Sequence, residues 1–277
     1  MTDDLLAKAT RFRELHERDG LFLMPNPWDA CTARILAAAG FAALGTTSGG
    51  VNHSNGRTDY DYSVSRADML ADCGRIAAAV DLPVSGDLEN GYGDSPEQVA
   101  ETITESIRHG LAGGSIEDHS ADPAQPLYEL ELAVARIRAA REAADASGLP
   151  YTLTARAETY FVDHPNPFGE AVRRVNLYRE AGADCLFVPG VKDAETIGTL
   201  VREVDGPGNV VMGLVGAPLS LDQLAELGVK RISIGGSLAR AAFAVVRRAA
   251  EEMRTQGTFG YAAEQMSDDE LNALMRR

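Results

Sequence analysis

The sequence predicts an α/β fold of eight parallel strands alternating with helices, a (β/α)8 barrel of the TIM type. Three observations predict it. Short apolar runs alternate with longer amphipathic stretches along the whole chain. Glycines separate a helix end from the next strand at Ala39-Gly40-Phe41, His109-Gly110-Leu111, Ala181-Gly182-Ala183 and Leu227-Gly228-Val229, where an αβ loop needs its helix C-cap. Charged residues collect where successive strands stop, as functional groups do at a barrel mouth. A doubly wound open sheet is the alternative that the same alternation allows.

The elements follow in order. Residues 3–18 form an amphipathic helix with Leu5, Leu6, Phe12 and Leu15 on one side. Leu21 to Met24 is a strand that Pro25 stops, and Asp29 to Ala39 is a helix. Phe41 to Leu44 is the second strand, running into Gly45-Thr46-Thr47-Ser48-Gly49-Gly50. Residues 51–65 read as a polar loop with His53, Arg57, Asp59 and Asp61, and 67–80 as a helix. The third strand, Leu82 to Val84, leads into Ser85-Gly86-Asp87-Leu88-Glu89-Asn90-Gly91. Ser95-Pro96-Glu97 then opens a helix to His109, with Ser as cap, Pro first and an acid in the first turn. Strands at 111–116, 151–155, 185–188, 210–214 and 231–234 follow, with helices at 127–146, 170–181, 194–204, 221–227 and 238–254 between or after them. A short helix at 268–276 ends the chain.

At 277 residues and 45% hydrophobic content, the chain can bury one large core. No Pro/Ser-rich linker or block of like charge divides it, so 1–277 reads as one domain with 258–277 as a C-terminal extension. A net charge of -15 argues against nucleic acid and anionic membranes as partners. No apolar signal region or membrane-length run is present, so the expected location is the cytoplasm. Cys31, Cys73 and Cys185 follow no metal spacing and read as small apolar residues.

Asp87 and Glu89 alternate, so they share a face if the strand persists. Glu117 and Asp118 close the next strand. Hard carboxylate oxygens at one mouth suit Mg2+ held partly through water. Arg156 closes an otherwise uncharged strand, and its fork fits a substrate carboxylate or pairs with Glu158 or Glu117. Thr47-Ser48-Gly49-Gly50 offers amides and a hydroxyl to an anion. His53 and His119 lie in loops at the same end, and Trp28 either lines the pocket or packs beneath it.

Taken in order and spacing, Thr47-Ser48-Gly49-Gly50, Gly86-Asp87 with Gly91-Tyr92-Gly93, Ile116-Glu117-Asp118 and Ala155-Arg156 resemble the isocitrate lyase/phosphoenolpyruvate mutase superfamily over nearly the whole chain. The resemblance implies a barrel, dimers or tetramers that exchange the last barrel helix, and Mg2+. It implies making or breaking a C–C or C–P bond next to a 2-oxo acid through a metal-stabilised, pyruvate-type enolate. By the same resemblance, Ser48, Gly49 and Gly50, with Thr47 before them, hold the substrate carboxylate and oxyanion. Asp87 and Glu117 order the metal and its waters, and Asp59, or else Asp61, completes that shell. Arg156 grips the substrate or balances the shell.

Three departures stand out. Lyases of the superfamily carry Lys-Lys/Arg-Cys-Gly-His soon after the Glu-Asp pair, where this chain reads His119-Ser120-Ala121-Asp122-Pro123. That points away from isocitrate and methylisocitrate. Ser85 replaces the first acid of the usual Asp-x-Asp, with Glu89 placed to compensate as a ligand. Val210 or Val211 stands for an asparagine usual at the seventh strand, unless Asn209 serves.

The expectation is a Mg2+-dependent lyase cleaving a C–C bond, by decarboxylation or retro-aldol reaction, of a small 2-oxo or 2-hydroxy carboxylate. The alternatives are a C–P hydrolase or mutase of the phosphonopyruvate type and a 2-oxo acid binding protein without turnover.

Overall fold

The computed structural model describes residues 2–214 and 219–276. Its strands are β1 (Phe22–Met24), β2 (Leu44–Gly45), β3 (Val84–Asp87), β4 (Gly113–Glu117), β5 (Thr152–Arg156), β6 (Cys185–Phe187), β7 (Gly208–Val211) and β8 (Arg231–Ser233). They form one parallel sheet in the order β1-β8-β7-β6-β5-β4-β3-β2. Each strand after β2 neighbours its predecessor in sequence, and β1 returns to pair with β8. That order has no reversal point, which excludes the doubly wound alternative and gives a nearly closed (β/α)8 barrel.

The remaining seam, between β1 and β2, has no ladder among the described residues. Gly45 N–H donates to Pro25 O at 3.1 Å, and Asn26 does the rest. Its Nδ2 donates to Thr46 O at 2.8 Å, while its Oδ1 accepts from the Ile234 and Gly235 amides at 2.8 and 2.9 Å.

Helices α1 (Asp3–Glu17), α2 (Ala30–Ala38), α3 (Ser48–Ser54), α4 (Arg66–Ala78), α5 (Pro96–Arg108), α6 (Leu130–Ala146), α7 (Pro167–Glu180), α8 (Ala194–Glu203), α9 (Leu221–Glu226), α10 (Ser237–Gln256) and α11 (Asp268–Met275) complete the described fold. The cap signals work as expected. Ser95 and Gln98 form a reciprocal capping box at the start of α5, with Pro96 in the first turn. Gly40, Gly110, Gly182 and Gly228 all adopt positive φ behind helix ends. In α5, Val99 and Ile103 are fully buried, one helical turn apart.

Helix α1 plugs the end of the barrel where the strands begin. Phe12 is fully buried, and the ammonium of Lys8 donates to Val80 O at 3.0 Å, just ahead of β3. Gly113 leaves room for the Phe12 ring, because a Cβ there would stand 2.7 Å from it.

Two local expectations change. Residues 48–54 form a helix at the start of what the sequence presents as a polar loop. Two glycines and an asparagine hide its propensity, and the Thr47 side chain caps it by accepting from Gly50 N–H. The third strand runs on to Asp87 and ends there. Glu89 lies beyond it at φ 48°, so strand alternation does not set its direction.

Among the described residues, no helix is long and apolar enough to cross a membrane. Helix α11 lies on α2, where the Arg34 guanidinium holds the Met275 carbonyl.

Candidate active site

The strands end at a cavity of about 440 Å³. Thr47, Ser48, Gly49, Asp59, Ser85, Asp87 and Arg156 all line it. Each arrives there for a local reason. Asp87 is the last residue of β3, and its carboxylate accepts from Ser48 N–H at 2.9 Å, at the start of α3. Its own N–H donates to Thr46 Oγ1 at 2.8 Å. Asp59 comes from the loop after α3 and stands over Gly49. A Cβ on Gly49 would lie 2.6 Å from Asp59 Oδ2, so only glycine allows this approach. Of the amides in the Ser48–Gly50 turn, that of Ser48 goes to Asp87 and that of Gly50 to Thr47. The Gly49 amide, second in the helix, has no intrahelical acceptor.

Arg156 is the last residue of β5 and is 8% exposed. Its Nη1 lies 3.1 Å from Glu117 Oε2 and 3.7 Å from Asp87 Oδ1. Its Nε pairs with Glu158, and Nη2 donates to Tyr60 Oη at 3.1 Å. So the two readings of Arg156, acid partner and cavity residue, hold together. One guanidinium serves three carboxylates.

Burial raises Glu117 and Glu158 above the usual carboxylate range, against the pull of Arg156. Burial, then Asp87, Glu117 and Asp59, push Glu89 up to about 8. Burial and the Asp87 charge also raise Asp59. Thus Asp59, Asp87, Glu89 and Glu117 repel one another, and Arg156 is the cation within reach of Asp87 and Glu117. Glu89 and Glu117 stand behind the cavity wall rather than on it.

That charge excess fits a hard divalent ion. Among the described residues, no three His, Cys, Asp or Glu side chains converge as direct ligands. The donor set therefore suits an ion that keeps much of its water, as Mg2+ does.

Other expected residues lie elsewhere. Trp28 is outside the lining and packs against Phe243, 6.1 Å between centroids. Asp61 is exposed and accepts from Ser63 N–H at 3.0 Å. Asp118 turns outward, accepting from Arg174 at 3.1 Å, Tyr178 at 2.6 Å and Glu158 N–H at 2.9 Å. His119 stacks on Tyr62, whose hydroxyl donates to Glu117 Oε1 at 3.1 Å. His53 does line the cavity, as do Tyr60, Phe161, Asn209, Arg231 and Arg240. Of these, Arg231 carried a readable signal, a charge at the first position of a strand.

The family model for phosphoenolpyruvate phosphomutase matches residues 12–254. An oxaloacetate decarboxylase of Pseudomonas putida is 30% identical, covering 94% of this chain and 89% of its own. A crystal structure from Burkholderia cenocepacia, provisionally described as a lyase/mutase, is 47% identical with TM-score 0.96, covering 100% of this chain and 98% of its own. The 2,3-dimethylmalate lyase structure is 28% identical with TM-score 0.87, covering 97% and 95%. With the barrel and its mouth of acids around one arginine, these matches show that the chain belongs to the phosphoenolpyruvate phosphomutase family, in the PEP mutase/isocitrate lyase superfamily of enzymes.

Proposed function

We propose that this chain is a Mg2+-dependent lyase that cleaves a C–C bond in a small 2-oxo or 2-hydroxy carboxylate, releasing a pyruvate-type enolate. The convergence of Asp87 and Glu117 on Arg156 at the cavity supports this reading most directly. Asp87 and Glu117 would hold the ion through its waters, with Asp59 and Glu89 adding negative field and Ser85 a weaker oxygen. When bound, Mg2+ supplies Lewis-acid charge to an oxygen that becomes negative during cleavage.

Arg156 binds and orients the substrate carboxylate through the fork edge turned to the cavity. Thr47, Ser48 and Gly49 shape the wall against which that carboxylate and the 2-oxo oxygen rest. In decarboxylation the bond to the second carboxylate breaks, CO2 leaves, and the electron pair enters the 2-oxo group as an enolate. In retro-aldol cleavage of a 2-hydroxy acid the hydroxyl loses its proton and becomes the oxo group, while the pair leaves on the other fragment, which then takes a proton. The fixed positive charge of Arg156 stabilises the oxygen that carries negative charge in either case. Asp59, protonated more readily than an ordinary carboxylate, takes or returns a proton at Oδ2. The relatives named for oxaloacetate and dimethylmalate chemistry support a C–C lyase.

The reading includes a small carboxylate as partner, a cytoplasmic location, and a homo-oligomer that exchanges its last helix. The exposed Val246 and Phe259 near the C-terminus suit such an interface.

The test is turnover of a panel of 2-oxo acids, oxaloacetate included, with Mg2+ and with chelator. Mg2+-dependent turnover lost in Asp87→Ala is expected. No turnover, or turnover indifferent to that substitution, overturns the reading. Phosphate release from phosphonopyruvate would favour the C–P alternative instead, and calorimetric binding without product would favour a binding protein.

A further inference from the structure

The buried arginines of the described structure differ in how they are balanced. Arg156 and Arg174 have carboxylates, and Arg136 holds the carbonyls of Asn90, Gly93 and Asp94 under the Tyr128 ring. Arg231 has no acid. It is 2% exposed, and no carboxylate among the described residues lies within ion-pair distance.

Its partners are all neutral. Nε donates to Asn209 Oδ1 at 2.8 Å and Nη2 to Thr154 Oγ1 at 3.0 Å. Nη1 lies 3.2 Å from His16 Nε2. His16 Nδ1 lies 2.8 Å from Phe12 O, which can only accept, so Nδ1 carries the proton and Nε2 is the bare acceptor. Burial and the Arg231 charge lower His16 to about 3, which keeps it neutral. Three N–H groups are engaged, and the guanidinium has donors left over.

Position gives these donors meaning. Arg231 starts β8 and reaches across the barrel to β5, above the α1 plug. Arg231, Asn209 and Ser233 line the cavity. Asn209 Nδ2 donates to Ser233 Oγ at 3.0 Å, which turns its oxygen to the guanidinium. The cavity thus has an acid rim and a cationic floor. A buried, unbalanced charge is costly, and an arriving anion removes that cost.

We propose that Arg231, held by Asn209 and Thr154, is an anion subsite at the cavity floor that receives a second carboxylate of the substrate. The proposal rests on the rim being a 2-oxo acid site, and it makes the preferred substrate a diacid. Residues at the rim take one acid group, and Arg231 takes the other.

Malate and lactate test it, because both are 2-hydroxy acids and they differ by one carboxylate. Calorimetry with Mg2+ is expected to show malate binding the wild type at least about tenfold more tightly than lactate, a difference of about 1.4 kcal/mol. In Arg231→Met that preference falls to within about threefold, while lactate affinity holds. Equal weakening of both acids in Arg231→Met, or an unchanged preference, overturns the subsite. Should that variant fail to fold, Arg231→Gln removes the charge and keeps a hydrogen-bonding end; a malate preference intact there also overturns it. Lactate binding without malate preference defeats the floor alone. An Arg231-dependent malate preference with no turnover of any 2-oxo acid defeats the lyase reading alone.

Discussion

The backbone N–H of Ser48 donates to Asp87 Oδ2 at 2.9 Å, so the first turn of α3 fixes the carboxylate that ends β3. An asparagine at 87 keeps an oxygen for that bond and loses the charge. Asp87→Asn is therefore expected to fold with little change in melting temperature. Its Mg2+-dependent turnover of oxaloacetate should fall by about 100-fold or more. Titration of Mg2+ against steady-state rate separates this from a folding defect.

Arg156 is the cation between Glu117, Glu158 and Asp87. Removing it leaves buried acids unpaired. Arg156→Ala is expected to lose about 3–5 kcal/mol of stability in urea unfolding. Arg156→Lys keeps the charge but not the fork, and should remain folded with kcat/KM reduced about 100-fold.

Gly49 makes space for Asp59. A methyl group at 49 would collide with Oδ2, which must move. Gly49→Ala is expected to cost at least about tenfold in kcat, because displacing a catalytic group by about 1 Å is enough for such losses. Circular dichroism should show the barrel intact.

Glu89 gives a pH signature to the metal-free protein. Its folded pKa, about 8, lies above the 4.5 of an ordinary glutamate. The protonated form is the one the fold favours, so this contribution is fully present below about pH 4.5 and is lost as pH rises through about 8. Urea midpoints in chelator should fall across that window. Glu89→Gln should flatten the slope and raise stability at pH 8, by an amount on the order of a few kcal/mol. Mg2+ should stabilise the wild type more at pH 8 than at pH 6, since its ligands must give up protons.

The barrel was legible because its cues are local. Helix-end glycines, the Ser95 cap and the alternation of apolar runs all act within a few residues. Asp87, Glu117 and the arginine they share were legible because a charge that closes an apolar strand needs a reason. Helix α3 was hidden because Gly49 and Gly50 have poor propensity, and its cap and the Asp87 contact hold it instead. Trp28 illustrates the opposite difficulty, since residues next to a strand end face either the pocket or the packing beneath. The floor was missed because Arg231 and Thr154 lie 77 residues apart and only barrel closure brings them together. Where Glu89 points depends on the turn after β3, which no spacing rule reports.

Elsewhere the ring of strands is zipped by repeated backbone pairs, but its join relies on the Gly45–Pro25 backbone bond and on a carboxamide that acts as the clasp. Asn26 ties Thr46 to Ile234 and Gly235, the segments that carry the Thr47–Gly49 wall and the start of α10. Unfastening it would let the two lips of the mouth part while the opposite wall stays whole. Breathing of the barrel should thus begin beside the reaction chamber, and the amide hydrogens of Gly45, Ile234 and Gly235 should exchange before those of β4 and β5.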